Sequence, residues 1–189
     1  YYSNRYNWVS GLITYAASAK DSFTIAGGGA LSKYAKNTFA TPVFLNNSTL
    51  FNVIYTHTEG PWAITPYFQY THVNGDIFPG QDSADTWSGA ILAKYSFNAQ
   101  WSVAGRAEYI SSSSGSCSTA PCAPTSVLYG PGSKAFSLTL TPTFQKGIFF
   151  ARAEGSYVDV TSAAPGSAFG VDGNAKSQFR GLIETGFIF

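Results

Sequence analysis

Residues Phe179 to Phe189 read FRGLIETGFIF, and every second position falls into one of two sets. Phe179, Gly181, Ile183, Thr185, Phe187 and Phe189 form the first; Arg180, Leu182, Glu184, Gly186 and Ile188 form the second. A strand turns successive side chains to opposite faces, so one face here is mostly apolar and the other carries an Arg and a Glu. Eleven residues at ~3.3 Å each, tilted by ~40–45°, span roughly 25 Å, the height of the apolar band of a transmembrane β-barrel.

The totals agree. Charged residues make up 11% of the 189 residues and aromatic residues 16%, against about 25% charged in an average soluble domain. Mean hydropathy is nevertheless −0.01. A helical membrane protein would show apolar runs of about 18 residues or more, and the longest runs here are short and broken by Thr, Ser and Gly. Net charge is +1 with scattered Lys and Arg, which excludes the basic stripe of a nucleic-acid binder. The chain contains no Met and no recognisable signal peptide, which marks a mature form or a fragment.

Working outward from the last strand, the alternation predicts eight more: Trp8–Ala17, Phe23–Tyr34, Thr49–Thr58, Trp62–Val73, Trp87–Phe97, Trp101–Ile110, Phe136–Phe144 and Phe149–Val158. Gly27-Gly28-Gly29 lacks the Lys-Ser/Thr and helix of a phosphate loop and suits a bulge or a close backbone approach within a strand. Connections alternate short and long, a feature of outer-membrane barrels. Tyr15, Phe23, Trp62, Phe97, Trp101, Phe144, Phe149 and Phe189 gather toward the short turns, and Tyr70, Trp87, Tyr109, Phe136 and Tyr157 toward the long loops, as two interfacial girdles would. Pro66 and Pro142 fall mid-strand, where each removes a ladder donor, so a bulge or register break is expected at each. Phe23, Trp62 and Trp101 are evenly spaced, near the ~40-residue period of a propeller blade, but a blade needs four short strands where each repeat here holds two long ones. Nine strands are an odd number for a bacterial barrel, so at least one more is expected before Tyr1. Residues 1–189 then form one domain, the C-terminal part of a larger even-stranded, all-β, antiparallel up-and-down transmembrane β-barrel.

Seven charges fall on the polar sides of these strands: Lys94, Arg106, Glu108, Arg152, Glu154, Arg180 and Glu184. Facing lipid, a charge near the midplane costs ~2–4 kcal/mol, so these face the interior. They would line a water-filled pore, with four cations against three anions and little charge selectivity beyond a slight lean to anions; equally, they would pair as Arg–Glu networks that hold neighbouring strands in register. The repeated Arg-Ala-Glu at 106–108 and 152–154 puts opposite charges two positions apart on one face. As a catalytic carboxylate pair, Glu108 and Glu154 are poor candidates, because an adjacent Arg lowers the pKa that a general acid needs. Neither His57 nor His72 falls among these positions, so no Ser-His-Asp set forms. Asp76, Asp82 and Asp85 are too irregularly spaced for a Ca²⁺ loop and suit a solvated acidic loop. Cys117 and Cys122, in CSTAPC, are expected to form a local disulfide in an oxidising compartment rather than a metal site. No cofactor, metal or enzymatic chemistry is expected.

With the strands placed, the chain resembles the OmpL-like β-barrel porin family. The similarity lies in GPWAITPYFQYTHV (60–73), WSVAGRAEYISSSSG (101–115), KAFSLTLTPTF (134–144), FFARAEGSYVDV (149–160) and the closing FRGLIETGFIF. The terminal Phe189 is similar to the assembly signal of outer-membrane proteins. The resemblance implies a channel of undefined solute preference in a Gram-negative-type bacterial outer membrane, and no family site residues carry over. The expectation is therefore passive diffusion of small hydrophilic solutes, with outer-membrane lipid and lipopolysaccharide around the barrel, no nucleic acid, and room for a homo-oligomer or larger membrane complex. The competing expectation is a non-conducting barrel that anchors or displays its cysteine-bearing loop.

Overall fold

The computed structural model describes residues 8–31, 48–74, 83–113 and 128–188. Nine strands form one antiparallel sheet in chain order: β1 Trp8–Ala16, β2 Asp21–Ala30, β3 Ser48–Glu59, β4 Trp62–Val73, β5 Ala84–Ser96, β6 Trp101–Ser112, β7 Lys134–Lys146, β8 Phe149–Thr161 and β9 Ser177–Phe187. The sheet is open between β1 and β9, and no helix occurs among the described residues. Cys117, Cys122, Asp76, Asp82 and Phe189 lie outside the described residues, so the expected disulfide and the terminal girdle residue lie there too.

The short connections are built by local chemistry. Gly60 and Gly147 each open a two-residue turn at positive φ, 56° and 58°, a conformation that glycine adopts without a Cβ clash. Between β5 and β6, Asn98 Oδ1 accepts from the amides of Gln100 and Trp101 at 2.8 and 2.9 Å. Between β1 and β2, Ser18 Oγ accepts from the amides of Lys20 and Asp21, both at 3.0 Å.

β3, β5, β6, β7 and β8 are longer than the apolar alternation alone indicates, mainly toward the long loops, whereas β1 stops at Ala16 and β2 at Ala30, short of the expected Ala17 and Tyr34. β5 starts at Ala84 rather than Trp87, and β8 runs to Thr161 rather than Val158. Alternation marks only the apolar band, whereas the backbone ladder continues through polar pairs such as His72 opposite Asp85 and Ser111 opposite Lys134.

The two prolines correct the expected bulge or register break. Ile54 pairs with Tyr67 and His57 with Ile64 in one unbroken register, and only the pairs opposite Pro66 and Thr65 drop out. The same happens between β7 and β8, where pairing resumes at Thr143 with Arg152 after lapsing at Thr141 and Pro142. On their other sides Pro66 stays opposite Ile91 and Pro142 opposite Val103. In an antiparallel ladder a residue points its N–H and C=O at the same neighbour, so a missing N–H weakens one side only. The triple glycine carries no bulge either. Trp8 Cζ2 lies 3.1 Å from where a Cβ on Gly28 would stand, so the glycine lets the indole rest on the backbone.

Directly paired residues share a face, and following the pairs across the sheet separates two surfaces. One joins Ile13, Ile25, Val53 and Phe68, and farther on Ile91, Ala107, Leu138, Tyr157 and Phe179. These large side chains are exposed, Ile13 at 78% and Ile183 at 81%, while the buried hydrophobic residues among those described are only Val73, Ala84, Ala90, Ala135 and Val160. The arrangement is a globular core turned inside out, as suits an apolar surrounding solvent. Aromatic pairs edge this face at both ends. Phe23–Tyr55, Trp62–Tyr95, Trp101–Phe144 and Phe149–Phe187 sit toward the short turns, with centroids 4.8, 4.7, 5.0 and 5.8 Å apart. Tyr70–Trp87, at 4.3 Å, sits toward the long loops.

The two faces predict opposite responses to a charge. Ile91→Arg on the apolar face lowers stability in phospholipid vesicles by about 2–4 kcal/mol. Thr141→Arg on the polar face changes it by about 0.5 kcal/mol or less. Urea unfolding midpoints of the two variants in the same vesicles measure the contrast.

Candidate functional site

All seven charges singled out in the sequence share the polar face, on β5, β6, β8 and β9. Arg152 and Glu184 are direct cross-strand partners, and Arg152 Nε and Nη2 reach Glu184 Oε2 at 2.8 and 2.5 Å. Arg180 Nη2 reaches Glu154 Oε1 at 3.2 Å along the diagonal, since Arg180 itself stands opposite Ser156. The two Arg-Ala-Glu repeats therefore resolve differently. Arg106 keeps to Glu108 of its own strand at 3.7 Å, whereas both charges of the second repeat pair with β9. Lys94, between Ala63 and Ala104, has no ion pair among the described residues.

Small residues make room for these contacts. Ala90 stands between Tyr67 and Glu108 in one cross-sheet row and is buried. The Tyr67 hydroxyl passes over it and donates to Glu108 Oε1 at 3.1 Å. A Cβ on Gly186 would meet the Phe150 ring at 2.7 Å, so this glycine allows Phe150 to lie flat on the polar face, with the Arg152 guanidinium 5.9 Å from its centroid. Thr139 Oγ1 is a buried hydroxyl with no hydrogen-bond partner among the described residues.

Residues 128–133, ahead of β7, and the β8–β9 loop fold together over the β6–β9 part of this face. Ala164 N donates to the Tyr129 carbonyl at 3.0 Å, and Ser167 Oγ reaches the carbonyl oxygens of Tyr129 and Ala164 at 2.5 and 2.6 Å. The Tyr129 and Phe169 rings meet edge to face, 5.3 Å apart. Gly130, at φ 103°, sits so close to Ala164 that a Cβ would come within 2.5 Å of the alanine methyl. The β8–β9 loop is braced internally by paired backbone bonds between Phe169 and Ala175 and by Gly173 against Gly166. Burial raises the Tyr129 phenol above its ordinary value, so it stays neutral. Between this roof and the strands lies a cavity of about 360 Å³ that reaches Arg106, Glu108 and Arg180.

Sequence reasoning missed three features. Tyr67 was visible only as the lone aromatic residue in its polar row. The roof has no periodic signal. The third is Tyr-Thr-His, which occurs at 55–57 and again at 70–72. Tyr55 donates to Asp21 Oδ1 at 2.6 Å and His57 Nδ1 lies 2.7 Å from the same oxygen; Tyr70 and His72 repeat this on Asp85 Oδ1 at 2.5 and 2.7 Å. Both clusters lie on the apolar face, one at each end, which places both histidines away from the seven charges. Asp85 is thus tied into a strand pair rather than free in a loop. No group of three metal-ligating side chains occurs among the described residues.

The family model described as "Putative beta-barrel porin-2, OmpL-like" matches residues 1–189. No match was found among curated proteins.

The Arg152–Glu184 pair is about half exposed on both sides, so solvent screens it. A double-mutant cycle with Arg152→Ala and Glu184→Ala should give a coupling of about 0.5–1 kcal/mol that shrinks at 1 M salt. Unfolding midpoints in detergent micelles at low and high salt provide the reading.

Proposed function

As the chain belongs to the OmpL-like β-barrel porin family, we propose that it forms a passive diffusion channel for small hydrophilic solutes in a bacterial outer membrane. One observation carries this reading: large apolar side chains cover one face of the whole sheet, while the seven charges of β5, β6, β8 and β9 share the other. In this reading the apolar face meets outer-membrane lipid and lipopolysaccharide, and the polar face becomes the wall of a water-filled lumen. β1 and β9 run in the same direction, so closing an antiparallel barrel on them takes an odd number of further strands. Those strands, or a larger membrane complex or homo-oligomer, complete the wall. The Cys117–Cys122 disulfide belongs to the same proposal, since the periplasm and cell surface are oxidising.

Transport through such a lumen needs no covalent step and no cofactor. Solutes cross because serine, threonine and ion-paired side chains replace part of their hydration, at sites too weak to trap them. Three Arg–Glu contacts leave Lys94 as the uncompensated charge of the set, which predicts a weak preference for anions.

A second reading has one observation in its favour, the roof formed by residues 128–133 and the β8–β9 loop. If that roof shuts the lumen, the barrel is a non-conducting anchor that displays its loops. Planar-bilayer recording of the complete gene product separates the two. The channel reading expects ohmic current with a slight anion preference in a KCl gradient, and Lys94→Glu should turn that preference toward cations. A bilayer that stays silent with correctly folded protein overturns the channel and favours the anchor.

A further inference from the structure

Below the Tyr129–Phe169 roof, two adjacent cross-sheet rows make up most of the cavity floor, and the Ile110–Ala135 pair borders them. One runs Arg106, Thr139, Ser156 and Arg180 on β6 to β9. The other runs Glu108, Ser137, Val158 and Gln178 on the same four strands. At ~4.8 Å per strand, the two arginines stand roughly 14 Å apart across the floor. The middle holds three hydroxyl-bearing residues, Thr139, Ser156 and Ser137, beside Val158, and forked planar groups stand at the ends: two guanidiniums, a carboxylate and a carboxamide.

Three properties of this cavity select one kind of solute. Its charges are already partnered, Arg106 by Glu108 within the lining and Arg180 by Glu154 beside it, so a free ion would have to compete with an existing partner. Its forks offer both donors and acceptors at spacings that suit neighbouring hydroxyl groups. Its roof presents aromatic ring surface, and Ile110, Ala135 and Val158 add aliphatic surface beside the polar groups, which suits a solute with one C–H face. We infer that the cavity under the roof is a binding subsite for neutral, polyhydroxylated ring solutes of the sugar class, with Phe169 as the platform and Gln178 at the rim. This rests on the polar face being a solute-accessible lumen.

The probes are methyl glucoside, glucuronate and glucosamine, which share one ring and differ in charge. Saturation-transfer NMR and titration calorimetry on the full chain folded in detergent micelles measure binding without requiring current. Methyl glucoside is expected to bind with a Kd of about 1–100 mM, a range set by its few heavy atoms. Phe169→Ala should weaken it about fivefold or more, while Phe169→Trp retains it. Gln178→Ala, an exposed rim position, should also weaken it and keeps the test open if the Phe169→Ala variant does not fold. Binding of glucuronate or glucosamine more than about tenfold tighter, no binding of any probe, or folded Phe169→Ala and Gln178→Ala variants with unchanged affinity would each overturn the subsite. The bilayer record distinguishes the two proposals: an open channel without sugar binding removes the subsite alone, while sugar binding with no current supports the subsite and removes the channel.

Discussion

Everything in this structure depends on the backbone ladder. A strand surrounded by lipid has no water to satisfy its N–H and C=O groups, so each must find them in a neighbouring strand. Nine strands in uninterrupted sequence order meet that condition with the shortest connections available. Once the ladder holds, the two-residue period does the rest. It sends Ile13, Ile91 and Ile183 to one side and Thr14, Leu92 and Glu184 to the other. The prolines show how much the ladder tolerates. Pro66 and Pro142 each cancel pairs toward one neighbour, yet register is retained because the strand on the other side still holds them.

Register in turn decides which charges meet. Arg152 and Glu184 touch because β8 and β9 place them directly opposite; Arg180 and Glu154 touch because the same register leaves them one diagonal apart. A slip of one residue would carry every charge on β9 to the apolar face, where the cost is ~2–4 kcal/mol each near the midplane. The ion pairs are therefore worth more as guards of register than the ~0–1 kcal/mol of an exposed pair suggests. Their energy in the correct pairing is small; the penalty they impose on the wrong one is large.

This also explains what could be read from the residues. Strand existence, faces and the positions of the seven charges were legible, because a period of two is a local property of the chain. The partner of each charge was not. Arg152-Ala153-Glu154 looks like a self-contained pair, and only the β8–β9 register sends its two ends to Glu184 and Arg180. Strand ends were blurred for a related reason: hydrogen bonding continues past Trp87 and Val158 into polar pairs that alternation does not mark. The roof was the least legible part. It is held by backbone carbonyls, by Ser167 and by glycines at positive φ, none of which has a period, and among the described residues it bears on the polar face through Leu128, Tyr129 and Phe169.

The duplicated Tyr-Thr-His gives the apolar band its two edges. His72 stands opposite Thr49, and Thr49 lies eight residues along β3 from His57. At ~3.3 Å per residue and a tilt of ~40°, the two clusters are about 20 Å apart along the barrel axis, close to the ~25 Å band of such barrels. A histidine and an aspartate on the lipid-facing side are tolerable only where headgroups begin, and a tyrosine is at home there because its ring is apolar and its hydroxyl polar. In each cluster the tyrosine and histidine share one carboxylate oxygen. Neither cluster can move toward the midplane without taking that carboxylate into hydrocarbon. The same three residue types at both edges thus resist vertical sliding in either direction, just as the Arg–Glu contacts on the opposite face resist slippage between strands.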